Sequence, residues 1–227
     1  MVVPEGFPVA GYEHVYDIVM RRHSGHAHCE HLAGAWNAIP YRYQAARDAG
    51  VAFAESVTAH GAAPQADIRY RQERSLFDYY SAGFSVFECT CYGLYAIGSF
   101  LRPDIFLLAT ARDQQRVSPT STRDAFNRAF PADSICTIFA TLFADRAYQE
   151  WREVRNVLTH RTSPGRRMYV SIGTDEELPT EWKLNNAPLD ASLPAKGGAD
   201  LARLLALLLD GAATFAASHL DPPQHSP

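Results

Sequence analysis

Lysine is nearly missing from this chain of 227 residues: Lys183 and Lys196 are the only two, and arginine carries almost all the positive charge. Arginine suits bidentate phosphate contacts, and a genome rich in G and C produces the same bias. Cysteine is sparse as well. Cys29, Cys89, Cys91 and Cys136 lack the spacing of a secreted disulfide framework, and two of them sit in an apolar helical stretch, so reduced thiols are expected. The opening Met-Val-Val-Pro-Glu lacks the basic start and apolar core of a signal peptide. The most apolar run, 201–217, contains Arg203 and Asp210 and is too short and too polar for a bilayer span. The expectation is a soluble, cytoplasmic protein with no membrane segment. No internal repeat, low-complexity block or glycine-rich phosphate loop occurs, so neither a solenoid nor a P-loop nucleotide hydrolase is indicated.

A formal net charge of -4 argues against nucleic-acid binding driven by bulk charge, but it allows a local basic patch. The stretch 146–167 supplies one, with Arg146, Arg152, Arg155, Arg161, Arg166 and Arg167 against Glu150 and Glu153 alone. Hydrophobic residues at 47% and charged residues at 20% are ordinary for a globular protein, and the length suffices for a single well-buried core.

Helical periodicity dominates, and the expected fold class is all-α. Short or kinked helices are predicted over 12–20 and 27–60, the second broken or bent at Pro40. The segment 67–101 is the longest candidate, with Leu76, Tyr80, Phe84, Phe87, Cys91 and Leu94 at steps of three and four. A short helix fits 122–130, and one long helix fits 134–160, with an apolar stripe of Phe139, Phe143, Ala147, Trp151, Val154 and Leu158. A strand at 168–172 pairing with 181–184 would form a small hairpin before a last helix over 200–219 and a frayed tail. The whole reads as a four-to-five-helix bundle in one domain, with residues 1–66 as extra N-terminal helices.

The one chemically pointed run is Arg155-Asn156-Val157-Leu158-Thr159-His160. On a helix, Arg155 and His160 lie about 140° and roughly 7.5 Å apart, while Asn156 and His160 share a face, so the amide can fix the imidazole. A guanidinium for phosphate and a titratable ring for protons can together support phosphodiester cleavage. Helix capping and surface hydrogen bonding are the plainer roles for the same two residues. Glu88, an acid in an apolar helix, needs a partner and could pair with Arg155. His23, His26, His28, Cys29 and His31 invite a zinc reading, yet no second ligand pair stands at a recognisable spacing, so no metal site is assigned. The aromatic set Phe77, Tyr79, Tyr80, Phe84, Phe87, Tyr92 and Tyr95 could stack bases, and at helical spacing it reads as core.

The run 151–161, Trp-Arg-Glu-Val-Arg-Asn-Val-Leu-Thr-His-Arg, resembles the Arg-x(4 to 6)-His signature of the HEPN superfamily of helical bundles, with the polar Asn156 directly after the arginine. The resemblance covers most of 67–219. It implies a metal-independent endoribonuclease without cofactor, often homodimeric with both motifs facing one cleft, in settings such as toxin–antitoxin pairs and phage defence. RNA or nucleotide and an antitoxin or other partner protein are the implied partners. Carried onto this sequence, Arg155 would bind and polarise the scissile phosphate, His160 would act as general acid or base, and Asn156 would orient the site. Arg152 and Arg161 would hold further substrate phosphates, and Glu88 would support Arg155. HEPN toxins paired with nucleotidyltransferases often carry tyrosine two residues after the histidine, where this chain has Thr162, which argues against regulation by modification there. Many members are non-catalytic dimerisation or nucleotide-binding domains, which is the alternative.

Overall fold

A computed structural model describes residues 3–169, 180–184 and 187–221. The fold is all-α, with eight helices among the described residues and one small three-stranded sheet. Helix α1 (Val9–His23) leads into the two longest neighbours, α2 (Cys29–His60) and α3 (Ala66–Leu101), which form an antiparallel hairpin around Gly61. Gly61 has φ +66°, a left-handed conformation that glycine adopts without steric cost.

The inner face of α2 carries Leu32, Trp36, Ile39, Tyr43, Ala46 and Phe53 at helical spacing, all buried. Trp36 stacks on Tyr12 and donates its indole N–H to the Tyr12 carbonyl at 3.0 Å, which ties α1 to the hairpin. Pro40 does not interrupt α2: the helix continues for 20 residues beyond it, with the proline buried. Packing along α3 outweighs the backbone hydrogen bond that a proline forfeits.

Two short helices follow, α4 (Ala111–Gln115) and α5 (Pro119–Ala129), each opened by a capping box, Thr110 with Asp113 and Ser118 with Ser121. The expected single helix over 134–160 is two helices, α6 (Ser134–Ala144) and α7 (Arg146–His160). Asp145 breaks it. Its backbone is extended (φ -69°, ψ 128°) and its carboxylate accepts the Ala147 N–H at 2.8 Å, so the residue that ends α6 also caps α7. Arg203 reaches the same carboxylate from the last helix at 2.9 Å. The turn changes which residues face inward: Tyr148 is fully buried, while Phe143 and Leu158 are only partly so.

Among the described residues the sheet starts earlier than expected, and a third strand joins it. Strand β1 is Arg166–Arg167, β2 is Glu181–Leu184 and β3 is Ala187–Pro188, paired antiparallel in the order β1-β2-β3. Met168 and Tyr169 lie outside the strand and exposed, because the pairing starts at Arg166, which anchors to α3; 170–172 fall outside the described residues, as does the tail from 222. Helix α8 (Leu193–Leu220) starts earlier than expected, with Pro194 in its first turn, where its missing N–H is harmless. Helices α3 and α8 are long and apolar enough to cross a membrane by length and composition. However, 67% and 50% of their most apolar windows are buried within the fold, as in core helices.

Candidate functional site

Helix α7 is held on α3 by Trp151. Its ring lies against Gly83, with ring centroids 4.8 Å and 4.9 Å from Tyr79 and Tyr80. A side chain at position 83 would run into the indole, so glycine is what lets the two helices approach here. One turn further along both helices, Arg155 meets Glu88. The guanidinium donates from Nη2 to Oε1 of Glu88 and lies 4.5 Å from the centroid of the Phe84 ring. Ser85 donates to the second carboxylate oxygen at 3.3 Å. The pairing suggested by the sequence is therefore formed, and Glu88 and Phe84, four apart on α3, make a platform that sets the position of Arg155. The Arg155 side chain retains 20% exposure.

His160 is the last residue of α7 and is exposed. Asn156 is half-buried, and among the described residues no hydrogen bond joins it to His160, although their spacing predicts one. At the helix end the backbone already departs from helical geometry at Arg161 (φ -123°, ψ -63°), and a bond between two solvent-facing side chains gains little over water. Arg152 is exposed on the same helix. Arg161 is exposed too and donates to Glu153 at 2.9 Å. The structure thus places Arg152, Arg155, Asn156 and His160 on one short helical segment, with Arg161 just beyond its end; Arg155 is held by Glu88 and Phe84, and His160 is exposed.

A second arginine has a similar construction that spacing did not reveal. Arg166 pairs with Glu73 of α3, donates to the Gln72 carbonyl oxygen of the side chain at 3.0 Å and lies 3.8 Å from the Trp182 ring centroid. Its side chain is 7% exposed, and burial lowers its pKa from the usual guanidinium value while Glu73 opposes that shift. No motif in the sequence links residues 73, 166 and 182.

The histidine cluster is a packing joint. His28 shares a hydrogen bond of 2.9 Å with Ser99, and His31 one of 3.2 Å with Tyr92; His23 and His26 pack on Phe100. Burial, then the neighbouring His28 and His23, lower the pKa of His26. Among the described residues no group of three or more His, Cys, Asp or Glu side chains is arranged to hold a metal ion. Of the aromatic set, Tyr79, Tyr80, Phe84, Phe87 and Tyr95 are core, whereas Phe77 is exposed.

No protein-family model matches the chain, and neither a curated protein nor a solved structure does.

Proposed function

We propose that the chain is a metal-independent endoribonuclease of HEPN type, with Arg155 and His160 at its centre. The observation that carries this reading is the platform under Arg155. Glu88 and Phe84 hold the Arg155 guanidinium at a fixed place on α7, the side chain still 20% exposed, about 7.5 Å of helix rise before an exposed imidazole.

In the reaction the ribose 2′-oxygen bonds to phosphorus and the bond from phosphorus to the 5′-oxygen breaks. The 2′-hydroxyl gives up its proton and the leaving oxygen gains one, so the products are a 2′,3′-cyclic phosphate and a 5′-hydroxyl. Arg155 holds the scissile phosphate and offsets the charge that builds on it. His160 carries one of the two protons, and solvent exchanges the other. Asn156 orients the substrate, and Arg152 and Arg161 hold flanking phosphates.

A non-catalytic domain that binds RNA or nucleotide is the second reading. It is favoured by the neutralisation of Arg155 by Glu88, since a phosphate must share or displace that carboxylate. Incubation of the purified protein with varied RNAs in EDTA separates the two. The nuclease reading expects cleavage with cyclic-phosphate ends and an intact all-deoxy control. RNA that is bound but never cut would establish the second reading instead.

A further inference from the structure

A cleft opens where the start of α8 meets α7 and the sheet. It has two adjoining parts that share Tyr80, Glu150, Ala187 and Leu193, one of about 330 Å³ against β2 and one of about 200 Å³ beside the first turn of α8. The larger part stands at the small end of the roughly 300–1,000 Å³ typical of small-molecule sites. Val154, Leu184, Leu189 and Leu193 give it apolar walls.

The cleft holds two donors with nothing to donate to. Tyr80 is 6% and Trp151 3% exposed, and among the described residues neither the phenol O–H nor the indole N–H has a hydrogen-bond partner. The side-chain polar atoms that are both sealed and unpaired belong to Ser81, Tyr148 and Arg166, so the donors of Tyr80 and Trp151 still meet the cleft that these residues line. The indole edge that leads to the N–H faces α8: a Cβ at Gly197 would stand 3.5 Å from Cζ2, whereas Cζ3 lies against Gly83. Tyr79 differs, since its hydroxyl donates to the Pro194 carbonyl at 3.3 Å. Burial, then Glu150, raise the pKa of the Tyr80 phenol, which keeps it a donor. A ligand with an acceptor group would satisfy both.

Charge narrows the ligand. Of the carboxylates lining the cleft, three are engaged: Asp190 accepts the Ser192 N–H and hydroxyl at 2.8 and 2.6 Å, Asp200 pairs with Arg203 at 3.1 Å, and Glu153 with Arg161 at 2.9 Å. Glu150 has no ion pair among the described residues, and neither have Lys196 in the smaller part and Arg146 in the larger. The donors and the free cations suit a carboxylate, Glu150 suits an ammonium, and the apolar walls suit a short hydrocarbon. An anion alone would face Glu150 with nothing to offset it, and an amine alone would leave Tyr80 and Trp151 unpaired.

We infer that this cleft binds a free α-amino acid with an apolar side chain, its carboxylate held by Tyr80, Trp151 and Lys196 and its ammonium by Glu150. The inference does not rest on the nuclease reading.

The test is calorimetric titration of the full chain with leucine, isoleucine, valine, methionine and phenylalanine, with thermal melting alongside. At least one is expected to bind and to raise the melting temperature by roughly 3–6 °C at ten times its dissociation constant. The deaminated and decarboxylated counterparts of the best binder (isocaproate and isoamylamine for leucine) should each bind roughly tenfold more weakly or worse. Tyr80→Phe deletes a hydroxyl without a partner in the described fold, so it should melt like the wild type and lose roughly tenfold in affinity. Glu150→Gln, at an exposed position, should cancel the preference for the amino acid over its deaminated counterpart. Failure of all five to bind, either counterpart matching its amino acid on the wild type, or an affinity unmoved by Tyr80→Phe would each overturn the inference. Should Tyr80→Phe melt early, the preference of Glu150→Gln decides alone.

Discussion

Arg155 and Arg166 are built alike and used differently. Each reaches back to a glutamate on α3, and each lies over an aromatic ring, Phe84 in one case and Trp182 in the other. The difference is enclosure. Arg166 is walled by Gln72, Glu73 and Trp182 at 7% exposure, so its guanidinium is enclosed within the fold. Arg155 keeps 20% of its side chain open, and its neighbours along α7 are Arg152, Asn156 and His160. The same pair of charges is sealed in one place and left partly open in the other. Arg203 extends the series outward: at 53% exposure its pair with Asp145 fixes a helix junction at the surface.

Four substitutions would break or sharpen that ordering. The largest effect is expected on chemistry: His160→Ala and Arg155→Ala should each reduce RNA cleavage about 10²- to 10⁴-fold. Both should leave the melting temperature close to wild type, because His160 is exposed and Arg155 only partly enclosed. An Arg155→Ala chain that unfolds as readily as an Arg166→Ala chain would erase the distinction between the two sites. Next comes Arg166→Ala, which strands Glu73 and Gln72 against α3 and strips the Trp182 face. Allowing for the partial exposure of Glu73, the expected loss is about 2–4 kcal/mol in denaturant unfolding.

The smallest effect belongs to the exposed pair. Asp145→Ala removes a cap and a surface ion pair and should cost about 1–2 kcal/mol. Its pH dependence has a fixed sign. The hydrogen bond from Arg203, followed by that from the Ala147 N–H, holds the Asp145 carboxyl below its ordinary value of 3.8. The stabilisation is therefore complete above that value and is lost as pH falls through the lowered one. The gap between wild type and Asp145→Ala should narrow over the same range in acid denaturation, and a gap independent of pH would assign the whole effect to the helix cap.

Helix type and most helix extents were legible in the sequence, because apolar residues recur at three and four over α2, α3 and α7. Two punctuation marks misled. Pro40 reads as a break or a bend, and α2 runs unbroken through it, packed on α3. Asp145 reads as an ordinary polar residue in a helical stripe, yet it caps α7 and pairs with Arg203, 58 residues away, a contact that no local pattern encodes. The candidate site divides in the same way. Arg155, Asn156 and His160 could be read from spacing on one helix, and Glu88 from being an acid in an apolar stretch. The Phe84 platform depends on how α7 lies on α3, which Gly83 and Trp151 settle in three dimensions.

The three tryptophans give the molecule a built-in optical record of its own assembly. Trp36 lies at the joint of α1 with α2, Trp151 at the joint of α7 with α3, and Trp182 in the sheet, 5.5 Å from the Phe53 ring and beneath Arg166. All three are buried, so native emission is short in wavelength and each indole shifts to the red when its own joint opens. Chains retaining one tryptophan at a time would then separate the detachment of the motif-bearing helix from the melting of the hairpin and of the sheet.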